Sequence, residues 1–421
     1  ADARNWNANP TILSGDLNNS NTANTGDAHT IVKIENNNIT IDGFIFENSY
    51  ADAITNLEDR SGGALFISNS TNPENITIQN SIFRNNHAIG TGDNGVGGAI
   101  ISYGNNHSFT NCLFYNNSTS NSGGALSPQL GDNLSITNCT FAQNTATTQG
   151  GAIHNDNVSV AIVNSIFAEN TATTNKNINN ASAISINMSY SLLDEALPLA
   201  DGGDVTDGGN NLTNTNPDFL DANTNDYRLK IKSLALNAGD DSKNAQTKDL
   251  AGNPRKTETI DMGAYEYDAV ITKWTGTTGS NWNDTNNWTN GIPSETKSAL
   301  FGGSVSNEPN VTISNAMAKD VLLDTGITLT IDTDKSLTIN RDFTNNGSFI
   351  IKSDATSNGS FILKGNYNGS STTDYHRYLT TNWHLIAAPV DGININTFKN
   401  EGCCSIAYSN FSTISAIESL S

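Results

Sequence analysis

Apolar and polar residues alternate in short runs along this chain, and the runs repeat. Thr30-Ile31-Val32-Lys33-Ile34 and Ile39-Thr40-Ile41-Asp42-Gly43-Phe44-Ile45-Phe46 have the two-residue period of strands with one buried face. Before them, Asn9-Pro10-Thr11-Ile12-Leu13-Ser14-Gly15-Asp16 reads as a short strand closed by a Gly-Asp turn. The alternation then lines up four times, at Ile76 to Phe83, Phe109 to Phe114, Ile136 to Phe141 and Ile162 to Phe167. A Gly-Gly-Ala phrase precedes each copy: Gly62-Gly63-Ala64-Leu65, Gly97-Gly98-Ala99-Ile100, Gly123-Gly124-Ala125-Leu126 and Gly150-Gly151-Ala152-Ile153. Each copy ends in Phe-x-x-Asn, from Phe83 to Asn86, Phe114 to Asn117, Phe141 to Asn144 and Phe167 to Asn170. The last three phenylalanines lie 27 and 26 residues apart.

A fixed period in the twenties predicts a solenoid. One such unit cannot bury its apolar face alone, whereas coils stacked about 4.8 Å apart can. Stacking places Phe83, Phe114, Phe141 and Phe167 in an internal column, and Asn80, Asn111, Asn138 and Asn164 in a second column at a bend. The paired glycines fit a corner that needs positive φ or close backbone approach. Ser81, Cys112, Cys139 and Ser165 share one rung, so the requirement there is a small buried side chain. Free, packed thiols at Cys112 and Cys139 are expected rather than a disulfide.

The pairing of Gly-Gly-Ala-Ile/Leu with Phe-x-x-Asn resembles the repeat of polymorphic outer membrane proteins and related bacterial surface β-helices, over roughly residues 30–195. Phe46-Glu47-Asn48 misses the spacing by one residue, so the first coil is expected to be atypical. Further on come Asn216-Pro217-Asp218-Phe219, Asp226-Tyr227-Arg228-Leu229 and Ser233 to Gly239. Asp249-Leu250-Ala251-Gly252-Asn253-Pro254-Arg255 and Ile260-Asp261-Met262-Gly263-Ala264-Tyr265-Glu266 follow. In order, this series is similar to the segment that ends β-helices of the choice-of-anchor Q family, and Asn9 to Asp16 resembles the opening of that family's helix. The resemblances imply a right-handed parallel β-helix of the pectin-lyase-like kind, secreted or displayed on a bacterial cell surface. Residues 210–268 then read as a cap over the last open coil, whose bare edge would otherwise invite aggregation.

After Val270 the vocabulary changes. Trp274, Trp282 and Trp288 fall within 15 residues and are expected in a core rather than as a sugar-stacking platform. Short strands recur at Val311-Thr312-Ile313, Val321-Leu322-Leu323, Leu329-Thr330-Ile331, Leu337-Thr338-Ile339, Phe349-Ile350-Ile351 and Phe361-Ile362-Leu363. Their spacing fits a smaller solenoid or a sandwich, and the repeated Leu-Thr-Ile favours the solenoid. The expected class is therefore all-β, with a parallel β-helix over 1–205, a cap over 206–270 and a second β-rich, solenoid-like domain over 271–421. Tyr375 to Ile386 begins another unit, and from Cys403-Cys404 onward the pattern is lost. The chain opens at Ala1 with neither initiator Met nor signal peptide, and is expected to be a processed or truncated piece of something longer.

Composition narrows the partners. The 421 residues exceed what one compact core accommodates. With 42 acidic and 21 basic side chains the net charge is −21, which repels nucleic acid and anionic lipid. No apolar run is long enough for a transmembrane helix. The four cysteines, Cys112, Cys139, Cys403 and Cys404, lack the spacing of a zinc or redox site.

Glycoside hydrolysis needs two carboxyls facing one groove. Asp240-Asp241 and Arg228-Leu229-Lys230 superficially resemble polygalacturonase motifs, but in the wrong order and without the Asn-Thr-Asp and Gly-His-Gly elements. Glu74, Asp93, Asp132, Asp156 and Glu169, with Arg84, do not recur at coil spacing, so no face collects them for a lyase. His87, His107 and His154 read as corner or surface residues. No catalytic or cofactor-binding residue is expected. Asp218, Asp221 and Asp226, with Asn223 and Asn225, make an oxygen-rich loop that is a weak calcium candidate, without the Asp-x-Asp-x-Asp-Gly pattern. Asn144-Thr145-Ala146-Thr147-Thr148 recurs once, at Asn170 to Thr174, and reads as a corner rather than an ice-binding face. The expectation is a surface scaffold for adhesion or for contact with an extracellular polysaccharide or a host or neighbouring surface, without catalysis. The alternative is a polysaccharide lyase or hydrolase. Recognition is expected at positions that vary between copies, such as Gln79, Asn106, Gln129 and Asn157.

Overall fold

The computed structural model describes residues 8–376 apart from 54–55, 69, 91–94, 198–204 and 372, together with short strands at 406–407 and 419–420. Asp93, the Asp201-Gly202-Gly203 run, the expected unit around Trp383 and the Cys403-Cys404 pair lie outside the described residues. The described chain is all-β, with no α-helix, and divides into two units, Ala1–Asp268 and Ala269–Ser421.

In the first unit nearly every strand pairs in parallel with its counterpart one coil away, an arrangement consistent with a β-solenoid. The phenylalanine-bearing strands form a seven-stranded sheet: Thr11–Ser14, Phe44–Glu47, Ile82–Arg84, Leu113–Tyr115, Thr140–Ala142, Ile166–Ala168 and Leu192–Leu193. The strands after each Gly-Gly-Ala phrase and the alternating strands belong to one eleven-stranded sheet, because Leu126–Thr137 and Ile153–Val163 run through both rows. Two-residue strands at Tyr50–Ala51, His87–Ala88, Ser118–Thr119 and Thr145–Ala146 make a third, four-stranded sheet. Gly43, at φ 80°, divides the expected strand from Ile39 to Phe46 between two sheets.

The phenylalanine column is present and has a fifth member. Phe46, Phe83, Phe114, Phe141 and Phe167 stack with ring centroids 4.9, 4.8, 4.5 and 4.9 Å apart and planes within 8° of parallel. That interval is the strand spacing itself, so backbone pairing sets the ring separation. The first coil thus joins the phenylalanine column, but it is atypical at the asparagine position. Asn48 is equivalent to Asn85, both at positive φ, and Ser49 occupies the asparagine position, with its Oγ donating to Asn86 Oδ1 at 3.0 Å.

The asparagines that close Phe-x-x-Asn form a buried ladder. Asn86, Asn117 and Asn144 donate through Nδ2 to Oδ1 of Asn117, Asn144 and Asn170 at 3.0, 2.9 and 2.9 Å. Each Nδ2 also reaches the carbonyl of a phenylalanine: Phe46, Phe83 and Phe114 respectively. Each Oδ1 accepts a second bond from the preceding asparagine's backbone N–H. The predicted column of Asn80, Asn111, Asn138 and Asn164 also stands, at φ between 50° and 52°, a region asparagine tolerates. Asn111 donates to Asn80 and Asn164 to Asn138, and Asn244 fills the gap by donating to both Asn111 and Asn138. Cys112 and Cys139 are free and buried. Each thiol bonds the carbonyl two residues back, as the hydroxyls of Ser81, Ser165 and Ser191 do in their coils.

The Gly-Gly pair divides the two roles foreseen for it. Gly123 needs φ 73°, whereas a Cβ on Gly124 would lie 2.0 Å from Gly151 O in the next coil.

Most of the segment expected to cap the last coil lies elsewhere, and only its first residues stack on that coil. Parallel pairing continues through Val205–Asp207 and a bridge between Leu192 and Leu212. From Phe219 onward the chain runs as a strap over the outward face of the phenylalanine sheet. There Leu113, Tyr115, Ala142, Ile166, Ala168 and Leu192 pack against Phe219, Tyr227, Leu229, Leu250 and Met262. The strap also takes the outward amides of the bend: Asn111 donates to Lys248 O, Asn138 to Asp261 O and Asn164 to Asp240 O. The physical reason lies beside each phenylalanine. From Phe114 onward its strand neighbours are largely apolar (Leu113, Tyr115, Ala142, Ile166, Ala168), so the sheet there has two faces to bury and the strap covers the second. Glu47 and Arg84 of the earlier coils instead pair with each other.

In the second unit three parallel sheets stack again. One holds Val270–Lys273, Lys297–Phe301, Val321–Leu323, Phe343–Asn345 and Tyr367–Asn368. The others hold Asn310–Val311, Thr328–Ile331, Ser348–Ile351 and Thr373–Tyr375, and Ala316–Ala318, Ser336–Ile339 and Ser360–Leu363. The solenoid-like reading of the repeated Leu-Thr-Ile thus has its parallel partners. Trp274, Trp282 and Trp288 are buried around Phe301, as a core.

Two substitutions test this account. Phe114→Ala removes the middle ring of the stack and is expected to lower unfolding free energy by about 3–5 kcal/mol in urea titration. Gly124→Ala, although smaller in volume change, is expected to destabilise at least as much, because backbone rather than a side chain blocks the added methyl.

Candidate functional site

The outward face of the eleven-stranded sheet carries a groove. Ile100, Leu126 and Ile153 are buried inside the coils, so alternation turns Ile101, Ser127 and His154 outward, followed by Tyr103, Gln129 and Asp156 two residues on. The early coils are longer than the later ones: equivalent asparagine-ladder positions are separated by 37, 31, 27 and 26 residues. The surplus lies in corners that flank this face. One corner contributes Leu57 and the next contributes Val96, on the side where the strands begin. Asn72, Gly104, Asn105 and Leu130 stand on the other. Between them lies a cavity of about 470 Å³ beside Tyr103, Gln129 and Asp156, continuing past Gln129 and Asp156 toward Asn121, Ser122, Gln149 and His154.

Phe66, Val96, Ile101 and Tyr103 make an apolar base. On it the Tyr103 hydroxyl donates to Gln129 Oε1 at 3.0 Å, and Gln129 Nε2 donates to Ser127 Oγ at 3.2 Å. Burial and the nearby Asp156 charge push the Tyr103 phenol up, so it stays protonated. Asn179 is wholly buried and donates through Nδ2 to Gln149 Oε1 and to His154 Nδ1, the latter at 3.0 Å. An amide nitrogen only donates, so Nδ1 accepts and the neutral His154 carries its proton on Nε2. Burial lowers the His154 pKa, with the Asp156 charge opposing. Leu130 is 59% exposed at φ 48°, a costly conformation for a large apolar residue.

Of the four positions expected to vary for recognition, the groove contains Gln129. Gln79 accepts from Gln246 of the strap, Asn106 accepts from Asn133 in an outer ladder, and Asn157 stands exposed at φ 67° within the long strand Ile153–Val163. His154, expected at a corner or on the surface, faces outward and is held by Asn179 at the groove. His107 is buried between Ser102 and Pro73 O, and His87 meets Ser118. Tyr103 and Asp156, which were not expected at a site, had a signal: like Gln129, each stands five positions after the second glycine of its phrase. Asp240 bonds Ser242, Asp241 pairs with Lys256, and Arg228 pairs with Asp226, so the polygalacturonase-like fragments are turn and strand residues of the strap.

In the calcium candidate, Asp226 holds Arg228 with both oxygens, Asp218 faces Lys232 at 3.6 Å, and Asp221 accepts from Asn223 N. Among the described residues no three His, Cys, Asp or Glu side chains converge as a metal set.

The strap contains a second charged cluster, with no opening to solvent. Arg255, 2% exposed, donates to the carbonyls of Asp261, Gly263 and Ala264, and its Nε lies 3.9 Å from Glu266 Oε2. Asp249, Asp261 and Glu266 around it accept backbone N–H groups. Burial, with mutual repulsion, pushes Asp261 up to about 7 and Glu266 to about 8, and burial raises Asp249. The cluster organises the strap.

Residues 273–418 match a family described as a domain of unknown function, DUF8693. No curated protein and no solved structure matches the chain.

Carboxyls raised in the folded state bind protons more tightly there than in the unfolded chain. Their contribution is complete below the unfolded carboxyl pKa of about 4 and is lost as pH rises through about 7 and about 8. The melting temperature is therefore expected to fall from about pH 5 to about pH 9, and Glu266→Gln to flatten that slope. Because Arg228 and Lys232 already neutralise Asp226 and Asp218, a melt in chelator is expected to coincide with one in millimolar calcium.

Proposed function

We propose that this chain is a secreted or cell-surface scaffold, a right-handed parallel β-helix of the pectin-lyase-like kind, whose groove holds glycan of a matrix or neighbouring surface without cleaving it. The observation that carries the reading is the groove's lining. Amides, hydroxyls and an imidazole surround a single carboxylate, Asp156, among the described lining residues. Hydrolysis by the usual route requires two carboxyls. Elimination from a uronate requires a basic group and several metal-binding carboxylates, and the described lining offers the His154 imidazole with only one carboxylate and neither Lys nor Arg. Polar amides over an aromatic base are the groups that hold sugar hydroxyls.

Surface display is supported by the resemblance of Gly-Gly-Ala-Ile/Leu with Phe-x-x-Asn to polymorphic outer membrane protein repeats, and of residues 216–266 to choice-of-anchor Q segments. This is an argument from analogy. No helix among the described residues is long and apolar enough to cross a membrane.

A glycan array screened with the full chain, followed by a reducing-end and unsaturated-product assay on each positive polymer, tests the reading. Binding with no product is expected. Product would establish an enzyme, and a blank array from folded protein would remove the glycan reading.

A further inference from the structure

We propose that the groove selects an uncharged polysaccharide, gripping adjacent ring hydroxyls between Asp156, His154 and Gln129, and turns away polyuronates. The inference rests on the glycan-binding reading and names the class of glycan.

Donor and acceptor placement is the first support. Asp156 is exposed and lies one rung from Gln129 in the parallel register. A carboxylate is acceptor-only and takes two hydroxyl hydrogens at once. On the neighbouring position His154 presents Nε2–H, because Asn179 already occupies Nδ1. Gln129 has two amide hydrogens and Ser127 takes one. The floor thus sets a charged acceptor beside neutral donors. Neighbouring hydroxyls of a sugar ring, each both donor and acceptor, complete that pattern.

Charge is the second support. A uronate would bring its carboxylate to Asp156 on a chain of net charge −21, where like charges repel. Among the described lining residues there is no Lys or Arg to compensate; Arg60 influences Tyr103 but less than Asp156 does.

Shape is the third. Leu130 keeps an apolar side chain at the rim in the left-handed backbone region, where a smaller polar residue would sit with less strain. The C–H face of a pyranose ring supplies the surface that covers it.

The test uses the full chain and Asp156→Asn, with dextran and mannan as neutral polymers and polygalacturonate and alginate as polyuronates, by affinity electrophoresis and calorimetry. The expected result is binding of a neutral polymer, weakened about tenfold or more in Asp156→Asn at unchanged melting temperature, with no retardation by polyuronate. Equal or tighter binding of polyuronate, or neutral-polymer binding indifferent to Asp156→Asn, overturns this inference and leaves the glycan-binding reading in place. Binding of no polymer by folded protein overturns both.

Discussion

Stacking coils of this size requires that polar groups at each buried corner be satisfied by the coils above and below. The asparagine of Phe-x-x-Asn meets that requirement with one side chain: Nδ2 bonds a phenylalanine carbonyl and the next asparagine, and Oδ1 takes two N–H groups from the previous one. The bonds recur without interruption from Asn86 to Asn170, so each coil is keyed to the next in register. Phenylalanine stacking, the close glycine contacts and the small Ser/Cys rung all presuppose that register. An unpaired amide inside the stack would cost more than the bond it loses, which makes the ladder a strong constraint on the repeat.

The two outer faces of the first unit meet different fates for reasons visible in their residues. On the phenylalanine sheet the outward positions from Leu113 onward are mostly apolar, and the strap covers them. The strap folds around Arg255, whose charge is surrounded by three buried carboxyls that tie down its own backbone. On the opposite row the outward positions become polar after Ile101, and long corners at the early coils rise beside them. Insertions in a solenoid tend to gather on the face that binds. The groove is where this chain departs from its own repeat.

The second unit solves the same problem with other groups. Its coils are shorter, its first turns are filled by Trp274, Trp282 and Trp288, and a buried Asp320 joins Ser298 to Arg341 across successive coils. Charge-assisted bonds here stand where asparagine amides stand in the first unit.

From sequence alone, the period, the strands, the phenylalanine column, the bend asparagines and the free thiols were legible. Each depends on neighbours one repeat away, and equal spacing reports such neighbours directly. The place of Phe46 in the column was hidden because Ser49 makes the ladder contact in place of asparagine. The position of the strap was hidden because no periodicity connects residues 219–266 to Leu113 or Asn138; only folding brings them together. The groove was half legible. Tyr103, Gln129 and Asp156 occupy one place in the repeat, yet the cavity beside them is completed by Leu57, Asn72 and Val96 from non-repeating corners. The direction of the His154 proton likewise depends on Asn179, one coil away. Local pattern determines which residues stack, because stacking is periodic. Tertiary structure decides which surface stays open, because that depends on the aperiodic segments and on where they come to rest.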